Sequence, residues 1–160
     1  DFLLPAVWVK FAYGLALALS IVALLGRLYR PGVPTQSVIK WPLLTVLVMT
    51  VLGFASLMLV PESQRAAVIF GRTWLACPWF VLGLAMPALA GLLWAAKQMA
   101  PTDLKTTGFA AGLLSGAIGA LGYLFACPET SLTFVAIWYT AGIVLAGLVG
   151  RVLGPVVLRW

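Results

Sequence analysis

A chain of 160 residues that is 63% hydrophobic and only 9% charged cannot cover a water-soluble globule with polar groups; soluble domains carry about a quarter charged residues. The net charge of +6 comes from basic residues scattered singly or in pairs between apolar runs, a pattern that sets membrane orientation and excludes a nucleic-acid stripe. With no His, and Asp1, Glu62, Asp103 and Glu129 as the acids, most hydrolytic chemistry is excluded, and no P-loop, paired-glycine fingerprint, HExxH or GxSxG is present.

About 20 apolar residues cross a bilayer as a helix. The apolar runs predict an all-α, polytopic transmembrane bundle, a single domain over 1–160 with spans near 3–26, 42–60, 76–97, 104–126 and 131–153. The first run starts at Phe2 and encloses Lys10, which either snorkels to the headgroups or is a buried cation paired with Glu62 or Glu129. The chain begins without Met or a basic n-region, so it reads as a piece lacking a cytoplasmic N-terminal segment and one further span.

Arg27 to Pro34 breaks the first helix, and Lys40-Trp41-Pro42 opens the second with proline in its first turn. Pro61-Glu62 closes it; in the loop 61–76, Arg65 to Arg72 reads as a short interfacial helix. Pro87 falls mid-span in the third run and is expected to kink it. Ala100-Pro101-Thr102-Asp103 reads as a turn with a cap for the fourth helix. There Gly108, Gly112, Gly116 and Ala120 recur every four residues, widened by Ser115, Gly119 and Gly122. Close packing drives helix association in lipid, so this helix is expected at the bundle centre, met by Ala146, Gly150 and Gly154 of the fifth.

If each run crosses once, Arg27, Arg30, Lys40, Lys97, Lys105, Arg151 and Arg159 share one side, and Arg65, Arg72 and an outward Lys10 the other. The excess marks the first side as cytoplasmic, leaving the C-terminus inside and Asp1 outside. Cys77-Pro78 opens the third span and Cys127-Pro128 closes the fourth, so both sulfurs are expected on the outer face, the periplasm of a bacterial inner membrane, where disulfides form. Cys77 fits a helix N-cap, which favours thiolate; Cys127 lies at a helix C-terminus. Three readings stay open: a structural or inert pair, a redox or thiophilic-metal sensing pair with Cys77 and Cys127 as the soft ligands, or a thiol oxidoreductase. The last needs a second cysteine pair to relay electrons, and zinc would find half its shell empty.

Gly122-Tyr123, Cys127-Pro128-Glu129, Phe134, Trp138-Tyr139, Gly142 and the final Leu158-Arg159-Trp160, with Cys77, Pro87 and Ala100-Pro101 before them, resemble the NrsF-type family of negative regulators of sigma factor F. The resemblance implies a non-enzymatic inner-membrane anti-sigma factor of six spans with no resident cofactor. In such a protein an extracytoplasmic-function sigma factor is the cytoplasmic partner and nucleic acid is not touched directly. It also implies that Cys77 and Cys127 are the periplasmic cysteines that respond to heavy-metal or oxidative stress. The sigma-contacting surface lies in the missing region or among Arg27, Arg30, Lys40, Lys97, Lys105 and the Arg159-Trp160 tail. A transporter or channel subunit is the rival class; beyond Lys10 its polar path would have only Thr45, Thr50, Ser56, Ser115 and Thr140.

Overall fold

The computed structural model describes residues 5–30 and 32–159, and every regular element among them is helical. In chain order these are α1 (Pro5–Leu28), α2 (Gln36–Met58), the short α3 (Glu62–Phe70), α4 (Cys77–Gln98), α5 (Leu104–Tyr123) and α6 (Leu132–Val157). All but α3 are long and apolar enough to cross a membrane. The expectations placed on Asp1, on the run before Pro5, on Pro31 and on Trp160 lie outside the described residues.

Local chemistry explains most boundaries. Asp103 adopts an extended conformation and accepts from the N–H groups of Lys105 and Thr106 at 3.2 and 3.1 Å, while the Thr106 hydroxyl donates to its second oxygen at 2.5 Å. Those amides are otherwise the orphan donors of a helix start. Ser131 does the same for α6, accepting from the Phe134 N–H. Two starts differ from expectation. Pro42 does not open α2, which begins at Gln36 and runs through it. Cys77 is not a cap: Ala76 takes that position and Cys77 is the first helical residue, its N–H donating to the Thr73 carbonyl at 2.8 Å.

The bundle is organised around α5, which packs against α6, α4 and α1, whereas α2 touches chiefly α1 and the first turns of α6. The α5–α6 contact is backbone on backbone. A methyl group placed on Gly112 would strike the Ala146 carbonyl and lie 2.7 Å from the Gly147 Cα. One on Gly108 would strike the Gly150 carbonyl, and one on Gly116 would lie 2.8 Å from the Ile143 Cα. Gly150 and Gly154 return the same contact from α6. Ala120 continues the buried face among larger side chains.

Gly119 and Gly122 do not widen this groove. Three residues past Gly116 the helix has turned by about 300°, so a methyl on Gly119 would meet the Val81 carbonyl and Ala85 of α4, and one on Gly122 would touch Leu84. The helix therefore presents close-approach surfaces to two neighbours. Pro87, expected among the packing residues, lies on the exposed face of α4, which continues through it as one helix. It holds no helix pair together.

The described chain also contains an element that periodicity did not reveal: Val135–Tyr139 form a π turn inside α6. Val135 and Tyr139 on this turn, and Gly142, Ile143 and Ala146 after it, are buried on the bundle side. Single π turns of this kind concentrate at functional sites.

Candidate functional site at the cysteine end

The N-terminal ends of α1, α4 and α6 meet the C-terminal ends of α2 and α5 at one end of the bundle, opposite the end that carries Arg27, Arg30, Lys40, Lys97, Lys105, Arg151 and Arg159. Cys77 and Cys127 are brought together here. Both belong to the main buried cluster, at 0% and 8% exposure, and their sulfurs are not bonded to each other. Cys77 is held by the first turn of α4. Cys127 sits one turn past α5, its N–H donating to the Tyr123 carbonyl at 2.9 Å.

Aromatic rings enclose the pair. Tyr123 stacks on Phe80 at 5.6 Å between centroids and lies 6.0 Å from Tyr139. The Tyr139 hydroxyl is buried beside the Cys127 thiol but outside hydrogen-bond geometry, leaving it without a partner among the described residues. Tyr13 of α1 shares a 2.8 Å hydrogen bond with Thr140 of α6. Tyr139 lies on the π turn, and Trp138 on the same turn donates its indole N–H to the Ile69 carbonyl at 2.8 Å. With Phe70 and Trp74, Trp138 fixes α3 against α6.

Lys10 neither snorkels nor pairs with a carboxylate. It is 4% exposed, its ammonium donates to the backbone carbonyl of Glu129, and it lies 5.8 Å over the Tyr139 ring. The Glu129 carboxylate turns elsewhere, accepting from the Arg72 N–H at 2.6 Å. The sequence offered a signal for this arrangement, a lysine inside an apolar run and an acid two residues after a cysteine, but it suggested an ion pair and not a charge-to-carbonyl bond. Tyr13, Thr73 and Thr140 join the site with no sequence signal beyond their polarity.

The donors gathered at this end are two buried thiols and one ammonium. Among the described residues no group of three His, Cys, Asp or Glu side chains gathers, so a soft metal would have two sulfurs and a neighbouring ammonium. The membrane hydroxyls do not line a path: those of Thr45, Thr50, Ser56 and Ser115 donate to carbonyls of their own helices, at Trp41, Val46, Gly53 and Gly112.

Residues 1–160 match the family model described as "Negative regulator of sigma F" (NrsF). The chain belongs to the NrsF family. It is 38% identical over 158 residues to the probable anti-sigma-F factor NrsF of Azospira oryzae, covering 99% of this chain and 74% of that protein. It is 37% identical over 159 residues to the anti-sigma-F factor NrsF of Caulobacter vibrioides, covering 98% of this chain and 73% of the relative. No solved structure matches the chain. NrsF proteins are regulators and not enzymes, which sets aside the thiol oxidoreductase reading.

Proposed function

We propose that this chain is an inner-membrane anti-sigma factor that holds an extracytoplasmic-function sigma factor at its basic, cytoplasmic end and releases it when Cys77 and Cys127 are oxidised at the periplasmic end. The observation that carries the reading is the segregation of the molecule. Two sulfurs are buried together at one end, the basic loops occupy the other, and α4 and α5 run between them. The names of the relatives supply the partner; the excess of basic residues at the far end supplies the orientation.

Oxidation by a peroxide balances in two steps. One sulfur attacks the O–O bond, becomes a sulfenic acid and releases water; the other thiol attacks that sulfur, forming the S–S bond and releasing a second water. Two electrons leave the thiols and reduce one peroxide to two waters. The new bond ties the first turn of α4 to the segment after α5. Both helices carry that constraint to the connection between Lys97 and Lys105 at the opposite end. A switch from 1:99 to 99:1 requires about 5.5 kcal/mol, so a weaker bias releases a fraction of the partner. A soft metal bridging the sulfurs would exert a similar pull, but the donor set and Lys10 favour oxidation.

The test is co-purification of the sigma factor with the full-length membrane protein, before and after peroxide. Release from the wild type and retention by Cys77→Ser and Cys127→Ser are expected. Normal release from both variants would place the switch elsewhere.

A further inference from the structure

Both sulfurs are buried, so a reagent reaches them only when something at this end opens. The residue that ties most of the end together is Glu129, fastened twice. Its backbone carbonyl accepts from the Lys10 ammonium of α1, and its carboxylate accepts from the Arg72 N–H in the turn before α4. That second contact depends on Gly71, whose φ of +54° suits glycine and whose hydrogen faces the carboxylate; a methyl there would sit 2.8 Å from the Glu129 Cδ. Cys127 lies two residues before the double fastening and Cys77 follows the turn it grips.

We propose that Lys10, Glu129 and the Gly71-Arg72 turn form a latch that closes the cysteine pair, with Lys10 as the positioning residue that sets how fast either sulfur reacts. A lysine 4% exposed in a membrane-length helix is costly unless its charge is met. Here one carbonyl and one ring face meet it. Lifting the Glu129 segment strips the ammonium of its acceptor, so the segment stays shut until the cation finds water. The two fastenings act on the same residue, and the loss of either loosens the other. The latch rests on the redox reading of the site but concerns access, which is measured without the sigma factor.

The experiment follows alkylation of Cys77 and Cys127 by N-ethylmaleimide, resolved by mass spectrometry, on the full-length protein in liposomes. Lys10→Met loses a charge-assisted hydrogen bond but also the cation that favours thiolate, so for this variant the opening is read by amide hydrogen exchange at Cys77 and Cys127, expected about tenfold faster. Gly71→Ala, which pushes the carboxylate aside with Lys10 intact, is expected to accelerate exchange and alkylation at both cysteines, and exchange in the double variant to rise by less than the product of the two. Asp103→Ala, destabilised at the opposite end, is expected to alkylate at the wild-type rate; an equal acceleration there would reduce the effect to general loosening and overturn the latch. Wild-type exchange rates in Lys10→Met would overturn it too, and should that variant fail to fold, wild-type alkylation rates in Gly71→Ala, where the cation is kept, decide the same way. Faster alkylation with no change in sigma release would leave the latch standing and sink the sensing reading instead.

Discussion

The α5–α6 seam and the cysteine end are built on opposite principles. Along the seam, backbones approach so closely that no side chain fits at Gly108, Gly112 or Gly150. At the cysteine end, contact is made by large rings and a few polar bonds: Tyr13 with Thr140, Trp138 with Ile69, Lys10 with Glu129. A steric seam has one arrangement and resists change through repulsion, which rises steeply. Polar bonds between side chains break one at a time. The seam is therefore the harder of the two regions to rearrange.

The contrast is most severely tested by filling the seam. Gly112→Leu is expected to cost more than about 3 kcal/mol, beyond ordinary overpacking because backbone and not a side chain must yield. Gly91 on α4 has nothing within 4 Å of the position a methyl would take, so Gly91→Leu is expected within about 0.5 kcal/mol of wild type. Unfolding by a graded denaturing detergent compares them directly. Equal tolerance at both positions would mean that the close approach is not what holds α5 to α6.

Much of this was readable from residues alone, and the reason is physical. Membrane-length helices announce themselves by length and hydropathy, and the four-residue glycine step of Gly108, Gly112 and Gly116 identifies a close-packing face without reference to a partner. What stayed hidden lacks such a signal. The π turn at Val135–Tyr139, which carries Trp138 and Tyr139, has no composition of its own. Lys10 was visible as an anomaly and Glu129 as one of its two candidate partners, but the accepting atom was not, because it is a backbone carbonyl and every residue carries one. Pro87 misled for the converse reason: its chemistry is local, whereas its role depends on which face of α4 it occupies, and that face is exposed.

Within the cysteine end, Trp138 fastens α3 to α6. Trp138→Ala removes the bond to Ile69 and two ring contacts, with Phe70 and Trp74. A loss of about 2 kcal/mol is expected, and it should be local. Limited proteolysis in the segment 61–76 is expected to speed up while the unfolding midpoint of the bundle moves far less than in Gly112→Leu. A parallel collapse of both would show that the two regions are not separable.

At the opposite end, the cap of α5 feeds the seam its starting point. The Asp103 carboxyl is held below its ordinary range, first by the Thr106 hydroxyl and then by the Thr106 and Lys105 amides. A depressed carboxyl contributes stability that is present above the unfolded value of about 3.9 and fades as pH falls through the folded value. Asp103→Ala is expected to cost about 1 kcal/mol at neutral pH. The gap between wild-type and variant melting temperatures should close on acidification below that range; a gap constant with pH would assign the loss to something other than the charged cap.

The smallest effect is expected one turn of chain earlier, and its sign is reversed. Ala100 follows the last turn of α4 with a φ of +47°, the one non-glycine residue in the left-handed region among those described. That conformation crowds Cβ against the carbonyl oxygen and costs an L-residue about 1 kcal/mol, which glycine avoids. Glycine also gives back part of the gain, since its unfolded chain is freer by about 0.4–1 kcal/mol. Ala100→Gly is therefore expected to be neutral or to raise stability by a few tenths of a kcal/mol. Its value lies in where the turn sits, between Lys97 and Lys105 on the basic end. If relieving Ala100 leaves stability unchanged but alters retention of the sigma factor, the strain is tied to the shape of the loop at the basic end. If both stay at wild type, the left-handed turn only ends a helix that Pro101 prevents from continuing.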